Sequence, residues 1–147
     1  LIPDFRGNER QLNRVLEAAP EVISHNMETV RRLTRQVRIQ AQYDRSLGVL
    51  KYLKDHGAHR TKTGIMLGLG ETVEEVRAAL HELREAHVDV VTLGQYLQPT
   101  PKHLPVQEFV EPEVFESLGH EAKALGFIHV ESGPLVRSSY HAEKHIL

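Results

Sequence analysis

With 147 residues, 40% of them hydrophobic and 26% charged, the chain has the composition of one globular unit and not of a disordered segment. Eighteen Lys and Arg against 20 Asp and Glu leave a net charge of -2, which excludes the basic footprint of general nucleic-acid binding. No apolar run approaches the roughly 18 residues that a membrane helix needs, and the absence of cysteine excludes a disulfide or a thiolate metal ligand within these residues.

The first residues, Leu1-Ile2-Pro3-Asp4-Phe5, carry no initiator methionine and no signal or transit peptide. They read as the end of a strand already under way, so an N-terminally truncated chain is expected. Asn8 with Gln11 three residues on caps a helix through Leu12, Val15 and Leu16 that stops before Pro20. A short strand follows at Val22-Ile23-Ser24-His25-Asn26, and then a helical segment from Val30 to Val37. Arg31, Arg32, Arg35 and Arg38 share neighbouring faces of that segment at three- and four-residue spacing. A solvated face is the default for such charge; a docking face for an acidic partner is the alternative.

Tyr43, Leu47, Leu50 and Leu53 recur at helical period, with Gly57 placed as a left-handed cap. The next strand, through Lys62-Thr63-Gly64-Ile65-Met66-Leu67, breaks into Gly68-Leu69-Gly70-Glu71. Thr72 and Glu75 then form a capping box for a helix from Val73 to His87. Val90 to Tyr96 reads as a strand, and Leu97 to Val110, with three prolines, as a long loop. Pro112 opens a last helix that Gly126 closes, Phe127 to Val130 reads as a short strand, and a tail follows. Strands alternating with helices indicate parallel βαβ units with right-handed crossovers.

In parallel α/β sheets and barrels, ligands bind beyond the C-terminal strand ends. The polar groups there are Asp4; His25, Asn26 and Glu28; Glu71; and Gln95 with Tyr96. Asn26 and Glu28 suit a ribose diol or an amine, and Gly64 to Gly70 offers backbone near a flat ring. His25 and Asn26 equally well satisfy strand-end backbone groups. Lys62 reads as a solvated lysine, with a Schiff-base role as the rarer option. The glycine loop matches neither a P-loop nor the dinucleotide fingerprint. Ser138, Ser139 and His141 lack the strand-to-helix elbow of a serine nucleophile.

Five blocks carry a family likeness: Pro3-Asp4-Phe5-Arg6-Gly7, His25-Asn26-Met27-Glu28-Thr29, Lys62 to Glu71, Gly94-Gln95-Tyr96-Leu97-Gln98-Pro99, and Val130 to Pro134 with Val136-Arg137-Ser138-Ser139-Tyr140-His141-Ala142. Together they resemble the C-terminal half of the lipoyl synthase family of radical S-adenosylmethionine enzymes. The resemblance implies a parallel-stranded partial TIM-type (β/α)6 barrel, here cut to about four strands, with a tail over residues 131–147 that folds across the active site. It implies sulfur insertion at two carbons of a protein-bound octanoyl group. The cofactors implied are S-adenosylmethionine, cleaved to a 5′-deoxyadenosyl radical, and two [4Fe-4S] clusters, one of them consumed as sulfur donor.

On that resemblance, Asn26 and Glu28 correspond to a ribose-contacting pair. Gly64, Gly68 and Glu71 belong to the element beside the adenine, and Gln95 completes the cofactor-binding set. Ser139 is the expected oxygen ligand of the auxiliary cluster, where a harder donor than thiolate leaves an iron that can be released. The cluster cysteines are expected in a missing N-terminal half. Implied partners are octanoylated lipoyl carrier domains (2-oxoacid dehydrogenase E2 subunits and the glycine cleavage H protein) and iron-sulfur carrier proteins, with no nucleic acid and no membrane. The implied compartment is bacterial cytoplasm, mitochondrion or plastid. Two alternatives stand beside this: another radical or aldolase-type barrel fragment, or an inactive module that binds an acidic carrier through the four arginines.

Overall fold

The structure is a computed structural model and describes residues 1–146. Four strands form one parallel sheet in the order β1 (Val22–Ser24), β2 (Arg60–Leu67), β3 (Val90–Gln95), β4 (His129–Ser132). Helix α1 (Glu9–Glu17) precedes β1, and α2 (Thr34–Val37) and α3 (Tyr43–Asp55) cross from β1 to β2. Helices α4 (Val73–Glu85) and α5 (Pro112–Leu125) make the next two crossovers. Sequential strand order with a helix in every connection is an arc of a (β/α) barrel.

Local chemistry sets the helix boundaries. Asn8 Oδ1 accepts from the Gln11 amide at 3.2 Å. At α4 the capping box closes in both directions, with Thr72 Oγ1 accepting from Glu75 N at 3.2 Å and the Glu75 carboxylate from Thr72 N at 2.8 Å. Pro112 starts α5, and Gly126, at φ 98°, ends it in the left-handed region. Alternation along β2 and β3 turns Ile65, Leu67, Val91 and Leu93 outward onto Leu80, Leu83, Phe115 and Leu118 of the helices. Each such side chain, fully withdrawn from water, contributes about 1.5–3 kcal/mol. A smaller cluster of Leu12, Ile23, Val49, Leu53 and Ala58 fixes α1 beneath β1.

Four expectations are corrected. Leu1-Ile2 forms no strand in this structure; only the Ile2 amide reaches β1, donating to Ser24 O at 2.8 Å. The last strand lies two residues later than Phe127 to Val130. Phe127 instead packs in the helix-facing core beneath the Arg84 guanidinium, 5.3 Å from its ring centre. Glu131 and Ser132 therefore belong to β4, so the tail starts at Gly133, and its last residue, Leu147, lies outside the described residues. The segment after β1 is helical over 31–37 as expected, made of a 3-10 turn, Arg31–Leu33, running into the one-turn α2.

Two of that segment's arginines are committed within the fold, which is the fourth correction. Arg31 pairs with Asp44 at 2.6 Å and Glu82 at 3.0 Å, and its guanidinium lies 4.3 Å from the Tyr43 ring centre. Arg32 grips Glu75 at 2.7 Å and donates to Gly70 O at 2.9 Å. The Arg32 hydrogen bond is the main cause that holds the Glu75 carboxyl down at about 2. The four-arginine docking face is not a free basic surface.

Candidate functional site

Beyond the C-terminal ends of the strands lies a cleft of about 240 Å³, lined by Asn26, Glu28, Gly64, Thr92, Gly94 and Gln95, with Val136, Arg137 and Ser138 of the tail across its mouth. Strand alternation builds it. Gly64 pairs with Thr92, and Met66 with Gly94, on the face opposite the helices. Asn26 and Glu28 reach the cleft because residues 26–28 leave β1 and lie along β2. Glu28 N donates to Gly64 O at 2.9 Å, and Glu28 O accepts from Met66 N at 2.8 Å. Glu28 holds a φ of 66°, unusual for a residue with a side chain, which these two bonds enforce.

Asn26 and Gly64 form the floor. Asn26 Oδ1 is buried with no hydrogen-bond partner, an acceptor that costs free energy until a ligand donor meets it. A Cβ on Gly64 would sit 2.9 Å from Thr92 Oγ1 and 3.3 Å from Asn26 Oδ1, so any side chain there would fill the floor. His25 has the structural role considered for it. It is buried, its Nδ1 lies 3.1 Å from Ile2 O and its Nε2 2.9 Å from Ser46 Oγ, and burial holds its pKa below the ordinary value.

Gly68, Glu71 and Gln95 serve the loops around the cleft. Glu71 turns away from it, its carboxylate accepting from Gly68 N at 2.6 Å and Leu69 N at 3.0 Å. Gly68, at φ 102°, has no room for a Cβ because the Gln95 amide nitrogen and Glu108 O press against it; the glycine makes space for the chain there. Gln95 lines the cleft, but its Nε2 donates to Tyr96 O and Glu108 O, both at 2.9 Å, and its Oε1 accepts from Val110 N at 3.0 Å. That amide pins the 97–110 loop.

The tail crosses β3 at Gly94, where a Cβ would run into Val136 O. Gly133 N donates to Leu93 O at 3.1 Å. Lys62, expected in solvent, is instead 4% exposed: its ammonium donates to Ser138 O and lies 3.0 Å from His145 Nδ1. Ser138 lines both the cleft and an adjoining cavity, whereas Ser139 is exposed and lines only the latter, with Lys62 and His145. Sequence reading missed Thr92, Gly94 and Arg137 as lining residues. The period-2 face shared with Gly64 marks the first two.

The tail latch is pH-dependent. Burial, helped by the nearby Lys62 charge, pushes the His145 imidazole down to about 4. The undocked tail therefore binds the extra proton first, and docking weakens as pH falls from about 6.5 towards 4. Limited proteolysis should cut residues 133–145 faster at pH 5 than at pH 7.5. Equal rates would show that His145 does not govern docking.

Among the described residues, no helix is long and apolar enough to cross a membrane. No set of three or more His, Cys, Asp or Glu there is grouped to hold a metal ion.

The chain is 69% identical over all of its 147 residues to a lipoyl synthase of Flavobacterium johnsoniae, covering 51% of that protein. It is 68% identical over 146 residues to a mitochondrial lipoyl synthase of Nematostella vectensis, covering 99% of this chain and 50% of the relative. It thus spans about half the length of the curated relatives it matches. Among solved structures, methylornithine synthase superposes with a TM-score of 0.61 at 18% identity over 89% of this chain and 47% of its own, which supports the barrel fold alone. The profile of the Radical SAM superfamily matches residues 1–83, more than half the chain, and the chain belongs to that superfamily.

Proposed function

We propose that this chain is the C-terminal half of a lipoyl synthase, supplying the S-adenosylmethionine cleft and the serine-bearing tail. The observation that carries the reading is the meeting of Asn26, Glu28 and Gly64 with Arg137 and Ser138 in one cleft. The cleft fits S-adenosylmethionine: the orphaned Asn26 Oδ1 and the Glu28 carboxylate accept from a ribose diol or an amine, and the backbone at Gly64 and Met66 lies open to a flat ring. When bound, S-adenosylmethionine supplies the oxidising power that breaks unactivated C–H bonds. The chain's part is to hold it still and, through the tail, to keep water away.

The chain alone does not fit an iron-sulfur cluster, because it has no cysteine. We assign Ser139 as one oxygen ligand to an auxiliary cluster whose thiolates come from outside these residues, the second of two [4Fe-4S] clusters. The substrate is an octanoyl group on a carrier domain, E2 subunits and the glycine cleavage H protein being the carriers, with iron-sulfur carrier proteins renewing the consumed cluster. The compartment is bacterial cytoplasm or, as for the Nematostella relative's name, mitochondrion.

The whole protein, reconstituted and given S-adenosylmethionine and an octanoylated carrier domain, should yield the lipoyl group by mass spectrometry. No product from a reconstituted, cleavage-competent protein would overturn the reading. The isolated 147-residue chain, treated with iron and sulfide, should show neither cluster absorbance nor product. Either signal would show that thiolates are not required.

A further inference from the structure

Next to the cleft, on the far side of Asn26, lies a second cavity, of about 570 Å³, lined by Pro3, Asp4, Arg6, Arg38, Gln40, Ala41 and Arg45. Three guanidiniums face one carboxylate there. Asp4 is neutralised by Arg45 at 2.8 Å, and Arg45 also donates to Gln40 O at 2.8 Å. Arg38 is half-buried and donates to Asn26 O at 3.0 Å, so its side chain joins this cavity to the floor of the cleft. Arg6 is exposed, and its guanidinium has no hydrogen-bond or ion-pair partner among the described residues. Its backbone is nevertheless held in place. Phe5 and Arg6 stand consecutively at φ 48° and 53°, a left-handed pair that costs about 1–3 kcal/mol per residue, kept by Asp4 Oδ1 accepting from Arg6 N at 2.9 Å.

We infer that this cavity binds a carboxylate side chain of the acyl-bearing protein, beside the lysine that presents its octanoyl group to the cleft. The inference rests on the proposed function for the identity of that protein. Charge complementarity selects the occupant: two positive charges remain after Asp4 and Arg45 cancel, and guanidiniums grip a carboxylate through paired hydrogen bonds. Anchoring one side chain next to the reactive one fixes which lysine enters and in what direction.

The test uses the whole enzyme, with an octanoylated carrier domain and a neutral octanoyl-lysine tripeptide as substrates. Arg6→Glu should raise KM for the carrier domain about tenfold or more at low salt, with the gap narrowing as salt rises, while KM for the tripeptide changes less than about twofold. Arg6→Lys should restore most of the carrier KM. Calorimetry with the carrier domain should show the same loss of affinity in Arg6→Glu. An unchanged carrier KM, an equal rise for both substrates, or unchanged binding would each overturn the cavity's role. A wild-type enzyme that makes no lipoyl product from either substrate would instead sink the proposed function, and the binding comparison would then decide the cavity alone.

Discussion

Ser139→Ala in the whole enzyme should lower lipoyl formation by on the order of 100-fold or more, the scale on which groups that hold a metal centre act. Cleavage of S-adenosylmethionine should continue, because Asn26, Glu28 and Gly64, to which its binding is assigned under the proposed function, line the cleft from other elements. The fold should be indifferent to the change. Ser139 is exposed, and its hydroxyl makes no hydrogen bond among the described residues, so its loss should move stability by no more than about 0.5 kcal/mol. Thermal unfolding, product mass spectrometry and quantified cleavage together separate a lost ligand from a lost fold. Undiminished lipoyl formation would remove Ser139 from its role. Ser138, which lines the cleft itself, would then be the serine to examine.

Gly94→Val should detach the tail without unfolding the barrel. A Cβ at Gly94 would strike the Val136 carbonyl, which is backbone and cannot swing aside as a side-chain tip can. The strain has one outlet. Gly94 faces away from the helices, so the core of Ile65, Leu93, Phe115 and Leu118 is untouched. The tail is fixed by few bonds: Gly133 N to Leu93 O, and Lys62 to Ser138 O and His145. Overpacking of about 1–3 kcal/mol is of the same order as what those contacts supply together. Residues 133–145 should become sites of rapid proteolysis, and lipoyl formation should fall along with Ser139→Ala. A tail as protected as in the wild type would mean that it does not depend on that crossing.

The two variants also part the contributions of position and chemistry. Ser139→Ala keeps the tail in place and removes one oxygen; Gly94→Val keeps the oxygen and removes its place. If the tail matters only as a lid, the second variant alone should impair the reaction.

Much of the fold was legible because its signals are local. The pairs Asn8 with Gln11 and Thr72 with Glu75, and Gly126 after α5, each depend on residues within one turn, so spacing alone locates them. The strand at β4 slipped by two for the opposite reason. Phe127 and Ile128 supply apolar residues that look like the start of the strand, but Phe127 packs in the helix-facing core before the strand begins, while the strand proper carries His129 and Glu131 on its inner face. A barrel interior with polar side chains does not follow the usual apolar pattern of a strand.

The site divides in the same way. Asn26, Glu28 and Gly64 were readable as a cluster, since strand ends in a parallel sheet converge wherever the strands are neighbours. Whether a polar group there is free or spent was not readable. Glu71 and Gln95 look like free polar groups in sequence, yet in the fold loop amides and carbonyls already bond to both. Arg31 and Arg32 look unpaired in sequence until α3 and α4 bring Asp44, Glu82 and Glu75 against them.

By itself, then, the sequence determined the alternation of strands and helices, their caps, and the set of polar residues at the strand ends, because those follow from periods and turns a few residues long. The tertiary structure alone decided that Lys62 is buried beneath the tail, that Gly94 exists to let the tail cross, and that Asn26 keeps an unpartnered oxygen. Each of these depends on segments tens of residues apart arriving within a few ångströms of one another, and no local period encodes such a meeting.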